Sequence, residues 1–158
     1  MNKLMVILVI TAILSSCSAT GPIFEPLAFK PTNKATIYIY RPYVAFNAAG
    51  WPDIFINDEK FFALKNNGYG IIYVSPGQHS IKAEGSALFT NWYPDKVEIS
   101  HSFESDKEYF IRITPYMTSA VQVGTIMSMA GEANLSVVPR SDAMQEISQT
   151  RKLFEPEL

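Results

Sequence analysis

From Thr36 onward the chain consists of short runs of β-branched and aromatic residues, each closed by a turn signal. That pattern restricts it to a layered all-β fold. Residues 36–41 (TIYIYR) alternate, with Ile37 and Ile39 on one face and Tyr38 and Tyr40 on the other, and Pro42 ends the run. Residues 53–56 (DIFI) lead into Asn57-Asp58, both tolerant of positive φ, and residues 60–64 (KFFAL) return as a tight hairpin. Asn66-Asn67-Gly68 is a further turn, followed by residues 69–74 (YGIIYV). Ser75-Pro76-Gly77-Gln78 has the proline and glycine placement of a type II turn, and residues 79–83 (HSIKA) follow it. Residues 96–103 place Val97, Ile99 and His101 on one face. Residues 108–114 alternate likewise and stop at Pro115, and residues 133–138 form a last strand. The spacing predicts a β-sandwich of about seven strands, with Ile37, Ile39, Val97, Ile99 and Phe110 facing its core. One C-terminal helix is expected over residues 141–152, from an Asp142/Gln145 capping pattern and a shared face of Ala143, Met144, Ile147 and Arg151. Its expected place is over a sheet edge or an open end of the sandwich.

With 158 residues, 47% of them hydrophobic, the chain suffices for one domain with a real core. Residues 1–16 carry a single charge, Lys3. Without them the chain has 12 basic and 15 acidic residues, a formal charge of −3. No basic stripe is available for counterion release, so nucleic acid is not an expected partner. Cys17 is the only cysteine, which excludes an internal disulfide and a cysteine-based structural zinc site.

Residues 4–14 (LMVILVITAIL) follow the positive Met1-Asn2-Lys3. As a helix they would span roughly 16 Å, about half the hydrocarbon core, the length of a signal-peptide core rather than a membrane span. Leu14-Ser15-Ser16-Cys17 resembles the lipobox of bacterial lipoproteins. The resemblance implies cleavage before Cys17, diacylglycerol on its thiol and an N-acyl chain (such as palmitate) on the new amino terminus. No other cofactor is expected. Two or more chains anchor stably where one does not. Position 18 is Ser and not the Asp that retains many lipoproteins at the inner membrane, so the resemblance implies an outer-membrane anchor with the domain in the periplasm. The expected division is a signal peptide over 1–16, a lipidated Cys17 with a proline-rich tether over 17–34, and the sandwich over 35–158. The tether, with Pro22, Pro26 and Pro31, has two readings. It is a spacer reaching up to roughly 50 Å, or it docks on the domain through Ile23, Phe24, Leu27 and Phe29.

The order YIYRP (38–42), DIFINDEKFFALKNNGYG (53–70), SPGQHSI (75–81) and DKEYFIRI (106–113) resembles domain of unknown function family 2846, a set of bacterial lipoproteins. It is also similar to short surface-layer repeats built on a strand, an Asn/Asp-Gly turn, a strand and Pro-Gly-x-His. The resemblance covers roughly residues 34–152 and carries a fold and a location but no activity. Asp58 departs from it, standing where the family usually has Gly.

Catalytic chemistry finds little support. His79 and His101, the only histidines, lie 22 residues apart without HxH or HExxH, where a catalytic zinc needs three protein ligands. No GxSxG elbow is present, Gly68-Tyr69-Gly70 lacks the third glycine of a nucleotide loop, and Asp53, Asp58 and Glu59 miss EF-hand spacing. No catalytic residue and no metal site are therefore expected. Trp51, Trp92 and Tyr93 lie in loops and are candidates for stacking on sugar rings; the alternative is that the tryptophans close the ends of the sandwich. Residues 117–131 (MTSAVQVGTIMSMAG) hold fifteen residues without a charge and three methionines, a composition suited to adaptable apolar contact. They are either a buried strand pair turning at Gly124, the favoured reading, or a contact surface. Val121 and Val123 are expected to be buried, with Met127 and Met129 partly exposed.

The function expected is a lipid-anchored, non-enzymatic periplasmic module of the envelope, structural or protein-binding. The alternative is a carbohydrate- or peptidoglycan-binding lipoprotein using the loop aromatics. The membrane, through its lipid anchor, and an envelope protein or polysaccharide are the corresponding partners.

Overall fold

In the computed structural model, which describes residues 18–85, 92 and 96–157, all seven residues of β1 (Ala35–Arg41) are buried. A strand shows water neither face only if both sides of its sheet are covered. Eight further strands surround it: β2 (Pro52–Ile56), β3 (Glu59–Ala63), β4 (Gly68–Val74), β5 (Gly77–Gly85), β6 (Lys96–Phe103), β7 (Glu108–Val123), β8 (Ile126–Val138) and β9 (Arg151–Phe154). One helix, α1 (Arg140–Ile147), precedes β9. The five-stranded sheet has the order β8-β7-β1-β4-β9 and the four-stranded sheet β3-β2-β5-β6. The architecture is the expected all-β one with a C-terminal helix, but with nine strands among the described residues in place of about seven.

The two sheets meet over Ile37, Ile39, Ile54, Ile72, Ile81 and Ile111, with Val97 and Ile99 packed at the margin. The alternation of β1 thus reads correctly for its isoleucines. Its tyrosines are equally buried, in a second core on the outer face of the five-stranded sheet with Phe24, Tyr69, Ile71, Phe110, Ala143 and Ile147. Phe110 is core, as expected, but on this outer side. It stacks on Tyr38 (centroids 4.9 Å, planes 6° apart), while its neighbour Ile111 enters the inter-sheet core. The third layer is built by α1 and the N-terminal segment. Phe24 and Leu27 pack there, whereas Ile23 and Phe29 are exposed. Phe24 donates to the Thr150 carbonyl and Lys152 donates to that of Pro22, so the segment lines the edge of β9. Glu108 draws this layer together, binding Lys30 at 2.8 Å, the Tyr38 hydroxyl at 3.1 Å, and Arg140.

The helix departs from expectation at both ends. It starts after Pro139, so Asp142 lies within its first turn and no side chain caps it. It stops at Ile147, where Thr150 Oγ1 donates to the Ile147 carbonyl, and Arg151 begins β9 in parallel pairing with β4. It covers a sheet face rather than an edge or an open end.

The turns follow local chemistry. Asn57 and Asp58, at φ 49° and 67°, form the two-residue loop between Ile56 and Glu59, so Asp58 adopts the positive φ that glycine usually supplies. Gly77 has φ 132°. The expected stop at Pro115 does not occur, because β7 runs on to Val123. Pairing of β7 with β1 ends at Tyr40↔Arg112, and beyond it β7 pairs only with β8 among the described residues. Pro115 therefore falls on a strand with one open side, the kind of position where proline is tolerated in a sheet. The continuation is a hairpin turning at Gly124 (φ 62°). It extends past the end of β1 and its described residues 116–130 are exposed, so the expectation of a buried pair fails. Val121 is 56% exposed, and the side chain of Val123 lies outside the described ones.

Candidate functional site

Three features converge where β1 ends. First, Arg41 is fully buried at the last position of β1. Its Nη1 donates to the Gly50 carbonyl at 2.6 Å and Nη2 to the Asn47 carbonyl at 2.7 Å, while the guanidinium lies 5.2 Å from the Trp92 ring. Burial pushes its pKa down to about 10, which leaves it charged at neutral pH. A cation that fills the inside of loop 42–50 through backbone carbonyls is a fixed strut, and Phe46 of that loop rests on Gly131 of β8, where a Cβ would overlap its ring.

Second, Asn66, also fully buried, exchanges two 3.1 Å side-chain bonds with the backbone of Val44. Its carbonyl accepts from Ala19 N–H at 2.9 Å, and Ser18 bridges to it. Because Gly68 pairs with Arg41, Asn66 lies at the Arg41 end of the sheet, and Ser18 and Ala19 therefore meet the domain there.

Third, β7 and β8 project from this same end as an arm. Its register puts Met117 opposite Gly131, with Met129 and Met127 following at two-residue spacing on the same face. Met117, Met127 and Met129 are 51%, 61% and 49% exposed. Beside the base of the arm lies an open cleft of about 380 Å³ lined by Pro42, Arg112, Thr114, Tyr116, Asn134 and Glu146. A second cleft of about 490 Å³ shares Pro42 and Glu146. The charged groups here are paired with one another. Glu146 accepts from Tyr40 at 2.7 Å and from Arg112 at 2.8 Å, and burial followed by the Glu146 bond holds the Tyr40 phenol well above its usual range. At the rim, Tyr116 donates to Glu132 at 2.6 Å.

Residues 31–126 match the family model described as "Protein of unknown function (DUF2846)". The chain belongs to that family. The match to DUF2846 takes in β1 to β7, including Arg41, Asn66 and the outgoing strand of the arm, and ends at Ile126, the first residue of β8. No curated protein and no solved structure matches the chain.

The site residues expected from the sequence are scattered by the fold. Cys17 and Tyr93 lie outside the described residues. Trp92 is only 3% exposed and belongs to the inter-sheet core, which removes it from any sugar-stacking surface. Its loop position concealed this, because the partner that draws it inward is Arg41. Trp51 is half-buried, with Lys65 Nζ 5.5 Å over its ring. Met127 and Met129 are exposed, as expected. His79 and His101 face each other across β5 and β6 in an aromatic group with Phe103. Asn57 Oδ1 accepts from Ser80 N–H, which turns its Nδ2 toward His79 Nδ1; His79 Nε2 then donates to the Ser75 carbonyl. Both ring nitrogens of His79 thus have partners in the turn, and no group of three metal-ligating side chains occurs among the described residues. Arg41 and Asn66 escaped the sequence reading. An arginine closing an otherwise apolar and aromatic strand was the available sign for the first; an Asn-Asn-Gly turn offered none for the second.

Proposed function

We propose that this chain is a lipid-anchored, non-enzymatic module of the bacterial envelope, fixed to the outer membrane through Cys17 with its β-sandwich in the periplasm. The observation carrying the proposal is Leu14-Ser15-Ser16-Cys17 behind a short apolar run. The entry of the chain into the fold supports it. Ser18 and Ala19 are bound to Asn66 and the following segment is docked along β9 and into the outer core through Phe24, so the residues after Cys17 are a short leash and not a long spacer. A module so held works at the bilayer surface. In the cleft Glu146 is bound by Tyr40 and Arg112, which braces α1 against the sheet, and the arm offers an exposed, uncharged surface for recognition.

Mass spectrometry of the N-terminal peptide from cell envelopes tests this directly. The expected species is a diacylglyceryl, N-acylated Cys17, and Cys17→Ser should abolish processing and release the domain from the membrane fraction. An unmodified wild-type Cys17 refutes the anchor.

A further inference from the structure

We propose that the β7–β8 arm is a second, non-covalent membrane contact, resting among phospholipid headgroups with its methionine face toward the acyl chains. The inference rests on the anchor at Cys17 and deepens it.

Direction is the first support. Ser18 is held at Asn66, at the Arg41 end of the sheet, and β7, parallel to β1, leaves the sheet at that end. Ser18, the residue that follows the lipidation site in sequence, is therefore held at the end of the sheet from which the arm leaves. Chemistry is the second. Residues 117–131 contain no charge, so no ion has to leave water for the arm to meet lipid. Met117, Met127 and Met129 share one face, and their flexible thioethers suit a disordered apolar medium. Tyr43, 66% exposed on loop 42–50, and Tyr116, 45% exposed at the base of the arm, stand at this end, and tyrosine is favoured at the level of headgroups.

Geometry sets the depth. From Tyr116 to Val123 the arm reaches roughly 23 Å at about 3.3 Å per residue, less than the ~30 Å hydrocarbon core. Both of its edges are open: β8 is the last strand of its sheet and β7 has lost β1. Open edges need water or headgroups to satisfy their N–H and C=O groups, so the arm lies in the interface and does not span. Its position is enforced from inside the domain, because Arg41 fixes loop 42–50 and Phe46 of that loop sits on Gly131 at the base of the methionine face.

The test uses the native thiol economy of the chain. With Cys17 acylated, Met127→Cys supplies the single free thiol for an NBD fluorophore, and Glu59→Cys, at the exposed first residue of β3, supplies the control. The full-length lipoprotein is reconstituted in vesicles of phosphatidylethanolamine and phosphatidylglycerol, with N-terminal mass spectrometry on the same preparation. The expected result is blue-shifted NBD emission at position 127, quenched by doxyl lipids, with aqueous emission at position 59. Aqueous emission at both positions on an acylated protein overturns the arm while leaving the anchor intact. An unacylated protein whose position 127 still enters vesicles refutes the anchor and supports the arm. Blue-shifted emission in detergent-free solution that grows with protein concentration shows a second copy covering the methionines, and overturns the membrane contact.

Discussion

Arg41 Nη1 lies 2.6 Å from the Gly50 carbonyl oxygen, and the guanidinium, charged and fully inside the protein, is held by the Gly50 and Asn47 main-chain carbonyls and faces the Trp92 ring. Such a group is worth its desolvation only if the loop it holds depends on it. Arg41→Ala should destabilise the domain by about 2–4 kcal/mol, from the cavity and two orphaned carbonyls. Arg41→Lys, with one donor point in place of a fork, should lose roughly half as much. Hydrogen exchange at Ala48 and Gly50, whose amides close the loop on Ala45 and Asn47, should quicken in both variants. Unchanged exchange in Arg41→Ala would show that the loop stands without its strut.

A second close relationship supports the inter-sheet packing. Gly70 of β4 lies under the ring of Phe62, which stacks on Phe154 with centroids 5.3 Å apart and planes 5° apart. A Cβ at position 70 would overlap that ring. Gly70→Ala should cost about 1–3 kcal/mol by forcing Phe62 off its seat. Thermal unfolding measures the cost, and the double variant Gly70→Ala with Phe62→Leu should be less destabilised than the two single losses combined. Additive losses would mean that the glycine is tolerated for another reason.

What was legible in the sequence was period and punctuation. β1, β2, β6 and the Asn57-Asp58 hairpin follow from alternation and turn residues because local sterics decide them. Burial on the outer face of β1 was not legible: Tyr38 and Tyr40 read as the solvent side of a two-layer sandwich, and the third layer that covers them comes from α1 and residues before β1. β9 was hidden for a similar reason. Arg151 and Lys152 fall within the helix expected over 141–152, and only parallel pairing with β4, far away in sequence, makes Arg151 to Phe154 a strand. At Pro115 a local stop signal yielded to position, since the strand has an open side there. The site was read in part. Met127 and Met129 were singled out by composition, whereas Arg41 and Asn66 act through loop carbonyls and amides that no spacing announces.

The buried phenols make stability fall in alkali. Burial first, and then bonds to Glu108 and Glu146, raise Tyr38 and Tyr40 well above the ordinary phenol range, and burial pushes Tyr69 up to about 12. A raised folded-state pKa means that the unfolded chain releases these protons first. Their contribution is complete below about pH 10, the unfolded phenol value, and is lost as pH rises through the folded values. Phenolate absorbance followed together with circular dichroism should show Tyr38, Tyr40 and Tyr69 ionising only as the fold is lost. Reversible titration of all eight tyrosines near pH 10 with the fold intact would contradict their burial.

The arm separates surface from core within a single pair of strands. Ile113 on β7 is fully buried and Leu135, its partner on β8, is 7% exposed, while Met127 and Met129 further along β8 are 61% and 49% exposed. Exposed positions without buried partners change stability by at most ~0.5 kcal/mol, so Met127→Ser with Met129→Ser should move the melting temperature by no more than about 1–3 °C. Ile113→Ala, which opens a cavity between the sheets, should cost ~2–5 kcal/mol. The same double serine variant removes apolar surface from the face proposed to meet lipid. A form of the domain lacking the acyl chains should therefore bind phospholipid vesicles less well than its unsubstituted counterpart, with the fold unchanged. If the double variant instead loses as much melting temperature as Ile113→Ala, the methionines are covered in solution by protein and the arm is not a free surface. Sedimentation at several concentrations would then show whether the cover is a second copy of the chain.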